Sequence, residues 1–408
     1  MTATTDASYA VEVARLLWPA PRPTPYLTRT RDVRGAGSRD VLVLPSGRRP
    51  RMLVPADVPG SAPMVRRLGG GSTLARPARR VLEGSVRAGV LPLLRWPVVR
   101  VPAAGGIDSV EDHLSRCLQQ PVRVGVLLGT RRVNQKPVLQ VYRADGRLCA
   151  YAKVGHNPLT AGLVRREAAA LAALAGCRPR TFRVPELLHH GTWAGLEVLV
   201  LSPLTVGHGP VPARVRDAAA HELAGLAGTS APRLAAGPFW QRLSASAAVL
   251  PAQPGGDRVA AALEAVAASD GAEPVRLGGW HGDWGAWNMG LGDGVLNVWD
   301  WERYDPAVPL GFDGLHFAAQ AVRPGQRDAA RQERTFLEAV PTVLATADVP
   351  TRHHALTLRL YLLEVAVRYL DALTHGDTPA LRRRTSWVLS LLERLAEPSS
   401  HSLLEGRR

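Results

Sequence analysis

Lysine is almost missing from this 408-residue chain. Of its 50 basic residues only Lys136 and Lys153 are Lys; the rest are Arg. A lysine at a defined position therefore carries more information here than usual. Cysteine is nearly as scarce. Cys117, Cys149 and Cys177 are scattered and odd in number, which excludes a disulfide framework and shows no metal-binding spacing. Long apolar runs are missing as well. No stretch approaches the ~18 residues of a membrane-spanning helix, and the richest, Leu91 to Val101, is broken by Arg95, Pro97 and Arg100. The opening residues, Met1-Thr2-Ala3-Thr4-Thr5-Asp6, have no basic segment leading into an apolar one, so no signal peptide is read. These absences predict a reduced, cytoplasmic protein with no membrane partner. No internal repeat is visible.

What is present is unevenly distributed charge. Residues 1–100 carry 17 Arg against 6 acids, residues 101–204 carry 13 basic against 7 acidic residues, and residues 205–408 carry 20 against 22. The positive field of the +15 chain belongs to its front. Few aromatics are interleaved there, so a solvated basic surface is read and a nucleic-acid partner is disfavoured.

Along the chain, residues 6–18 read as a helix ended by Pro19, Pro21 and Pro23. Val41–Leu44 and Arg51–Val54 flank Pro45-Ser-Gly-Arg-Arg-Pro50 as a hairpin. Gly69-Gly70-Gly71-Ser72 reads as a link, because no Lys-Ser/Thr follows it as a phosphate cradle would need. Residues 78–90 read as a helix, and Ala103 to Ile107 as a boundary. Asp108 or Ser109 can cap a helix running to about Leu118. Three strands follow at 121–128, 137–142 and 148–154, the last pair turning at Asp145-Gly146. Arg165 to Leu174 is an Ala/Leu-rich helix whose one acid, Glu167, lies fourteen residues after Lys153. Strands at 184–188 and 196–201 come next, then Ser202-Pro203-Leu204. Beyond that point the periodicity is helical: 212–227, 237–250, 256–268, 329–346, 351–374 and 379–396. The tail after Pro398 is read as frayed.

Chemistry concentrates between residues 281 and 302. His281-Gly282-Asp283-Trp284-Gly285-Ala286-Trp287-Asn288 forms a loop after the apolar approach Leu277 to Trp280, and Asp300 ends a short strand reading Leu296 to Trp299. Two carboxylates and a carboxamide in this order suit phosphoryl transfer. One carboxylate accepts the proton of an attacking hydroxyl, while an amide oxygen and the second carboxylate hold a divalent cation. Ordinary turn residues are the competing reading of Asp283, Asn288 and Asp300. The tryptophans at 280, 284, 287, 299 and 301 are open to two roles, core packing or an aromatic wall for an organic ligand.

The pair His-Gly-Asp-x-x-x-x-Asn and apolar-Asp-Trp-Glu resembles the aminoglycoside phosphotransferase and choline kinase group, which has a protein-kinase-like fold. The resemblance covers roughly residues 108–396. It implies an α+β, bilobal chain: an N-terminal extension or cap at 1–105, a small antiparallel-sheet N-lobe at 106–204 and a mainly helical C-lobe at 205–398. It further implies an ATP- and Mg²⁺-dependent small-molecule kinase that moves the γ-phosphoryl group to a hydroxyl of a metabolite or antibiotic. In that reading Asp283 is the catalytic base, supported by His281, and Asn288 and Asp300 are the metal ligands. Lys153 cradles phosphates and Glu167 orients it, while Ser202 and Leu204 sit where a hinge meets adenine. The acid at Asp313 has a structural role in such proteins. One departure stands out: Leu128 to Lys136 is not Gly-x-Gly-x-x-Gly, so Gly129, Thr130, Arg131 and backbone amides are the phosphate-contact candidates. A nucleotide-binding pseudokinase, or an anionic-ligand binder acting through the Arg-rich front, remains the alternative. The basic front leads us to expect a neutral or acidic acceptor rather than a polycation.

Overall fold

Val41-Leu42-Val43-Leu44 and Val98-Val99 leave no polar side for water, which requires a strand buried on both faces. The computed structural model, which describes residues 6–67, 75–128, 135–207, 209–250 and 254–396, shows how this is met. Gly129, Thr130, Arg131, the 69–72 loop and the tail past Pro398 lie outside the described residues. Contacts divide the chain into two units: Met1–Ala168 with Pro185–Pro203, and Ala169–Val184 with Leu204–Arg408.

The chain begins with α1 (Asp6–Leu17), β1 (Tyr26–Arg29), β2 (Arg39–Leu44), β3 (Met52–Pro55), α2 (Ala75–Arg87) and β4 (Pro97–Val101). There follow α3 (Val110–Cys117), β5 (Val122–Leu127), β6 (Val138–Arg143), β7 (Leu148–Gly155), α4 (Pro158–Ala175), β8 (Phe182–Arg183), β9 (Leu187–Trp193) and β10 (Leu196–Leu201). Apart from β8, these strands form one nine-stranded sheet in the order β1-β4-β2-β3-β5-β6-β7-β10-β9. Every pairing in it is antiparallel. The four strands before residue 105 therefore continue the sheet, joined to the rest through Met52 and Leu53 of β3 opposite Leu127 and Val126 of β5.

Alternation sorts the side chains into two cores. Val41, Val43, Leu53, Val99 and Val101 point to the face covered by α1 and α3, with Leu17, Val110, Leu114, Val124 and Val126. Leu42, Leu44, Met52, Val54 and Val98 point to the other, under the 3₁₀ segment Pro59–Arg67 and α2. The Arg-rich front also hides charge. Arg100 is fully buried and grips Asp40 through Nε at 2.7 Å and a second nitrogen at 3.1 Å. Arg39 reaches Glu111 of α3 at 2.6 Å. Ser109, not Asp108, caps α3: its hydroxyl accepts from the Asp112 N–H while Asp112 returns a bond to the Ser109 N–H.

Two strand limits differ from the sequence reading. β9 runs Leu187–Trp193 rather than 184–188, since Pro185 has no N–H for a ladder. β7 extends to Gly155, which pairs with Glu197, so Lys153 is the third residue from its end.

The second unit holds β8, α5 (Ala213–Leu226), α6 (Pro238–Ala248), α7 (Gly256–Asp270), β11 (Leu277–Trp280), β12 (Met289–Gly292), β13 (Val295–Val298), β14 (Asp305–Pro309), α8 (Phe312–Ala319), α9 (Ala329–Thr346), α10 (His354–His375) and α11 (Pro379–Ala396). Its core is built on α10, buried at Leu358, Leu360, Leu362, Leu363 and Ala366. Two small sheets, β11-β14 and β12-β13-β8, frame the 281–302 segment. The architecture is α+β, with the large antiparallel sheet early and most helices late. Among the described residues, no helix is long and apolar enough to cross a membrane.

Candidate active site

In the first unit, Asn157 accepts the Thr160 N–H at 2.8 Å and Pro158 opens α4, an N-cap followed by proline at its favoured position. The turn from β7 is tight enough to need glycine: a Cβ on Gly155 would lie 2.6 Å from the Ala161 Cα. This fixes the register that sets Glu167 under Lys153. The ammonium donates to both Glu167 carboxylate oxygens at 2.7 Å. Both side chains are buried, Lys153 at 11 % exposure and Glu167 at 0 %. Ser202 is tied to Glu186, accepting its N–H at 2.8 Å and donating its own to the Glu186 carbonyl at 3.0 Å. The chain passes between units at Pro203 and Leu204.

In the second unit the loop 281–288 is held from beneath. Asp313, in the first turn of α8, accepts the His281 N–H at 2.7 Å and the Gly282 N–H at 3.2 Å. Burial pushes its carboxyl up to about 7, against those two donors and nearby Arg368. Gly282 has φ +82°, and a Cβ there would meet the Arg303 carbonyl oxygen at 2.3 Å. Its own carbonyl accepts from Arg368 at 2.6 Å.

His281 is fully buried. Its Nε2–H donates to the Trp299 carbonyl at 3.0 Å, and its Nδ1 accepts the Asp283 N–H at 3.2 Å. Those two bonds select one neutral tautomer. Burial drives the ring down to about 4, which the nearby carboxylate of Asp283 only partly offsets.

Asp283 sits at the centre of this network. Oδ2 accepts from Asn288 Nδ2 at 2.8 Å and from Trp287 Nε1 at 3.2 Å. His316 Nε2 lies 3.3 Å from Oδ1, while the Tyr361 hydroxyl is 3.2 Å from the other ring nitrogen. The Gln320 amide, 2.8 Å from His316 Nε2, competes for that atom. Burial would raise the Asp283 carboxyl, but His316 and the Trp287 indole hold it well below the usual carboxylate range. A third of the side chain stays open to solvent.

The β12-β13 hairpin closes the arrangement. Met289 pairs with Val298, and the Trp299 N–H donates to the Asn288 carbonyl at 3.0 Å. Asn288 and Asp300 thereby emerge at the same end of the hairpin. Asp300 lies two residues beyond β13, not at its end, with φ +72°. That left-handed conformation is sparse for a residue with a side chain and accumulates at functional sites. Carboxylate oxygens of Asp300 and Glu302 approach within 4.8 Å.

The tryptophans divide between their two readings. Trp280, Trp284 and Trp301 are buried, Trp301 against His281 with ring centroids 4.6 Å apart. Trp287 is half exposed beside Asp283. A cavity of about 340 Å³, lined by Arg216, His221, Trp280, Asp313 and Phe317, does not include Asp283, Asn288 or Asp300. Sequence reasoning missed His316, Trp287 as a partner of Asp283, and Arg368. His316 was accessible: it stands three residues after Asp313 on one helix, hence on the same face. Arg368 carries no such signal, because α10 holds a second arginine, Arg359, in the same apolar stretch.

No family model and no curated protein matches the chain. Solved structures do. The chain is similar to the aminoglycoside phosphotransferase APH(4)-Ia, at 15% identity over 70% of this chain and 97% of that one, TM-score 0.45. It is similar to APH(3'')-Id from Streptomyces rimosus ATCC10970, at 21% identity over 59% and 90%, TM-score 0.35. It is also similar to APH(2'')-IIia, whose structure is a GDP and kanamycin complex, at 15% identity over 69% and 93%, TM-score 0.39. Identities this low carry no information about substrate.

Proposed function

We propose that this protein is an ATP- and Mg²⁺-dependent small-molecule kinase that transfers the γ-phosphoryl group to a hydroxyl. The observation that carries the reading is the ionised Asp283, fixed by Asn288, Trp287 and His316 and left open on one side. A carboxylate held this low is a weak base. Its part is to accept the acceptor hydroxyl's hydrogen bond, orient its oxygen, and take the proton late in a loose transition state. His281 acts through the loop backbone as a positioning residue.

The donor set fits Mg²⁺. Asn288 commits its amide nitrogen to Asp283, which leaves the carbonyl oxygen as ligand, and Asp300 adds a carboxylate with Glu302 nearby. Oxygen donors of this kind suit a hard cation, which when bound would neutralise charge on the nucleotide phosphates. Lys153, oriented by Glu167, supplies a phosphate-binding ammonium. Gly129, Thr130, Ser202 and Leu204 complete the proposed nucleotide contacts. The Arg-rich front favours a neutral or acidic acceptor over a polycation.

The test is a screen of hydroxyl metabolites and antibiotics with γ-labelled ATP and Mg²⁺, read by mass spectrometry. One acceptor class gaining a single phosphoryl group supports the reading. Nucleotide binding without transfer to any acceptor, under conditions where a known kinase labels its own, would instead favour a regulatory nucleotide binder.

A further inference from the structure

The three cysteines show no metal spacing in the sequence, yet the fold groups one of them with two histidines. His113 and Cys117 are i and i+4 on α3, so they share a face. His189, Gly191 and Trp193 alternate onto one face of β9, the last strand of the nine-stranded sheet. One ligand atom from each of His113, Cys117 and His189 lies within 4.8 Å of the others. All three belong to the first unit, and all are partly exposed.

The spacing has chemical content. Bond lengths of about 2.05 Å to nitrogen and about 2.3 Å to sulfur put the two donors of a tetrahedral zinc site about 3.6 Å apart. Cys117 Sγ and His113 Nε2 are 3.6 Å apart. The rings of His113 and His189 meet edge-on at 5.5 Å. Trp193 stacks on His113 at 5.7 Å, and the Trp193 indole donates to Asp108 at 2.9 Å. Arg116, which neighbours Cys117 in sequence, is turned onto Asp108 at 2.6 Å. A Cβ on Gly191 would come 3.3 Å from His189 Nε2, so glycine leaves that nitrogen accessible.

We propose that His113, Cys117 and His189 form a zinc site that staples α3 to the edge strand β9, with water as fourth ligand. Two imidazoles and a thiolate are the borderline-soft set that Zn²⁺ takes, and they disfavour Mg²⁺ or Ca²⁺. The site is separate from the proposed kinase residues and does not depend on that activity. Its effect is on the first unit: bound metal adds its binding free energy to folding.

Cobalt is the spectroscopic probe. One equivalent of Co²⁺ added to the full chain should give tetrahedral d–d bands and a thiolate charge-transfer band, both displaced by Zn²⁺. Cys117→Ser should abolish the charge-transfer band, while Cys149→Ser and Cys177→Ser leave it. His113→Asn and His189→Asn should each weaken Zn²⁺ binding by at least about tenfold. The unsubstituted protein gives an independent readout: Zn²⁺ should protect Cys117, and neither of the other cysteines, from alkylation mapped by mass spectrometry. A cobalt spectrum unchanged by Cys117→Ser, no saturable binding, or equal alkylation of Cys117 with and without Zn²⁺ would each overturn the proposal.

Discussion

Removing Glu167 should be far more damaging than removing an ordinary surface partner of a lysine. Lys153 and Glu167 meet through two 2.7 Å bonds with almost no exposure. Exposed pairs contribute about 0–1 kcal/mol. Truncating one member of a buried pair costs about 3–5 kcal/mol, because the remaining charge is left desolvated. Glu167→Ala should therefore lower the stability of the first unit by about 3–5 kcal/mol. A Lys153→Met/Glu167→Leu double variant, which removes both charges and keeps volume, should recover most of that loss. The proposed phosphate contact goes with the lysine, so the double variant should fold and still bind nucleotide poorly. Urea unfolding read by hydrogen exchange at β7 amides isolates the relevant transition. If Glu167→Ala loses less than about 1 kcal/mol, the pair behaves as a solvated one. If the double variant is as unstable as the single, the loss comes from packing rather than from a stranded charge.

Three further outcomes follow from the same geometry. Deleting residues 1–105 strips β3 from β5 and removes Val41, Val43, Leu53, Val99 and Val101 from the core they share with Val124 and Val126. The 106–408 fragment should be insoluble or lack a cooperative melt in calorimetry, since it would expose a long apolar edge. His281 should make the protein acid-sensitive. Its native value of about 4 lies below the unfolded value near 6.5, so the unfolded chain binds the extra proton between those limits. Stability should fall by about 3 kcal/mol as pH drops from ~6.5 to ~4. Asp313, raised to about 7, acts with the opposite sign over an overlapping range. The His281 contribution is therefore read as the difference between parent and His281→Asn in pH-dependent urea melts. Asp300→Asn should raise the Mg²⁺ concentration needed for half-maximal transfer and nearly abolish turnover; superimposable Mg²⁺ titrations would remove Asp300 from the metal site.

Local chemistry explains what was legible in the sequence. Helix periodicity placed α5, α6, α7, α9 and α11 within a few residues, because each buries one face against a single core. The Lys153–Glu167 pair was implied by the family resemblance and sharpened by the scarcity of lysine. Asp283, Asn288 and Asp300 stood out through their order. What stayed hidden depends on pairing between distant segments. The 41–54 hairpin was legible and its strands continue the sheet, but β1 and β4 were not read: β1 is mostly exposed, and β4, buried on both faces, carries no alternation. The His113–Cys117–His189 grouping was hidden because α3 and β9 meet only after the whole sheet is assembled. Trp287 resolved away from its neighbours because burial within one loop is decided by backbone direction, which composition does not encode.

The role proposed for Asp283, orienting and deprotonating a hydroxyl acceptor, is decided by single-turnover phosphorylation with Asp283→Ala. With the acceptor found by screening, the variant should transfer phosphate about two to four decades more slowly than the parent. Its affinity for ATP should stay within a few-fold, since the role proposed for Asp283 is toward the acceptor and not the nucleotide. Parental single-turnover rates in a folded Asp283→Ala protein would contradict the account.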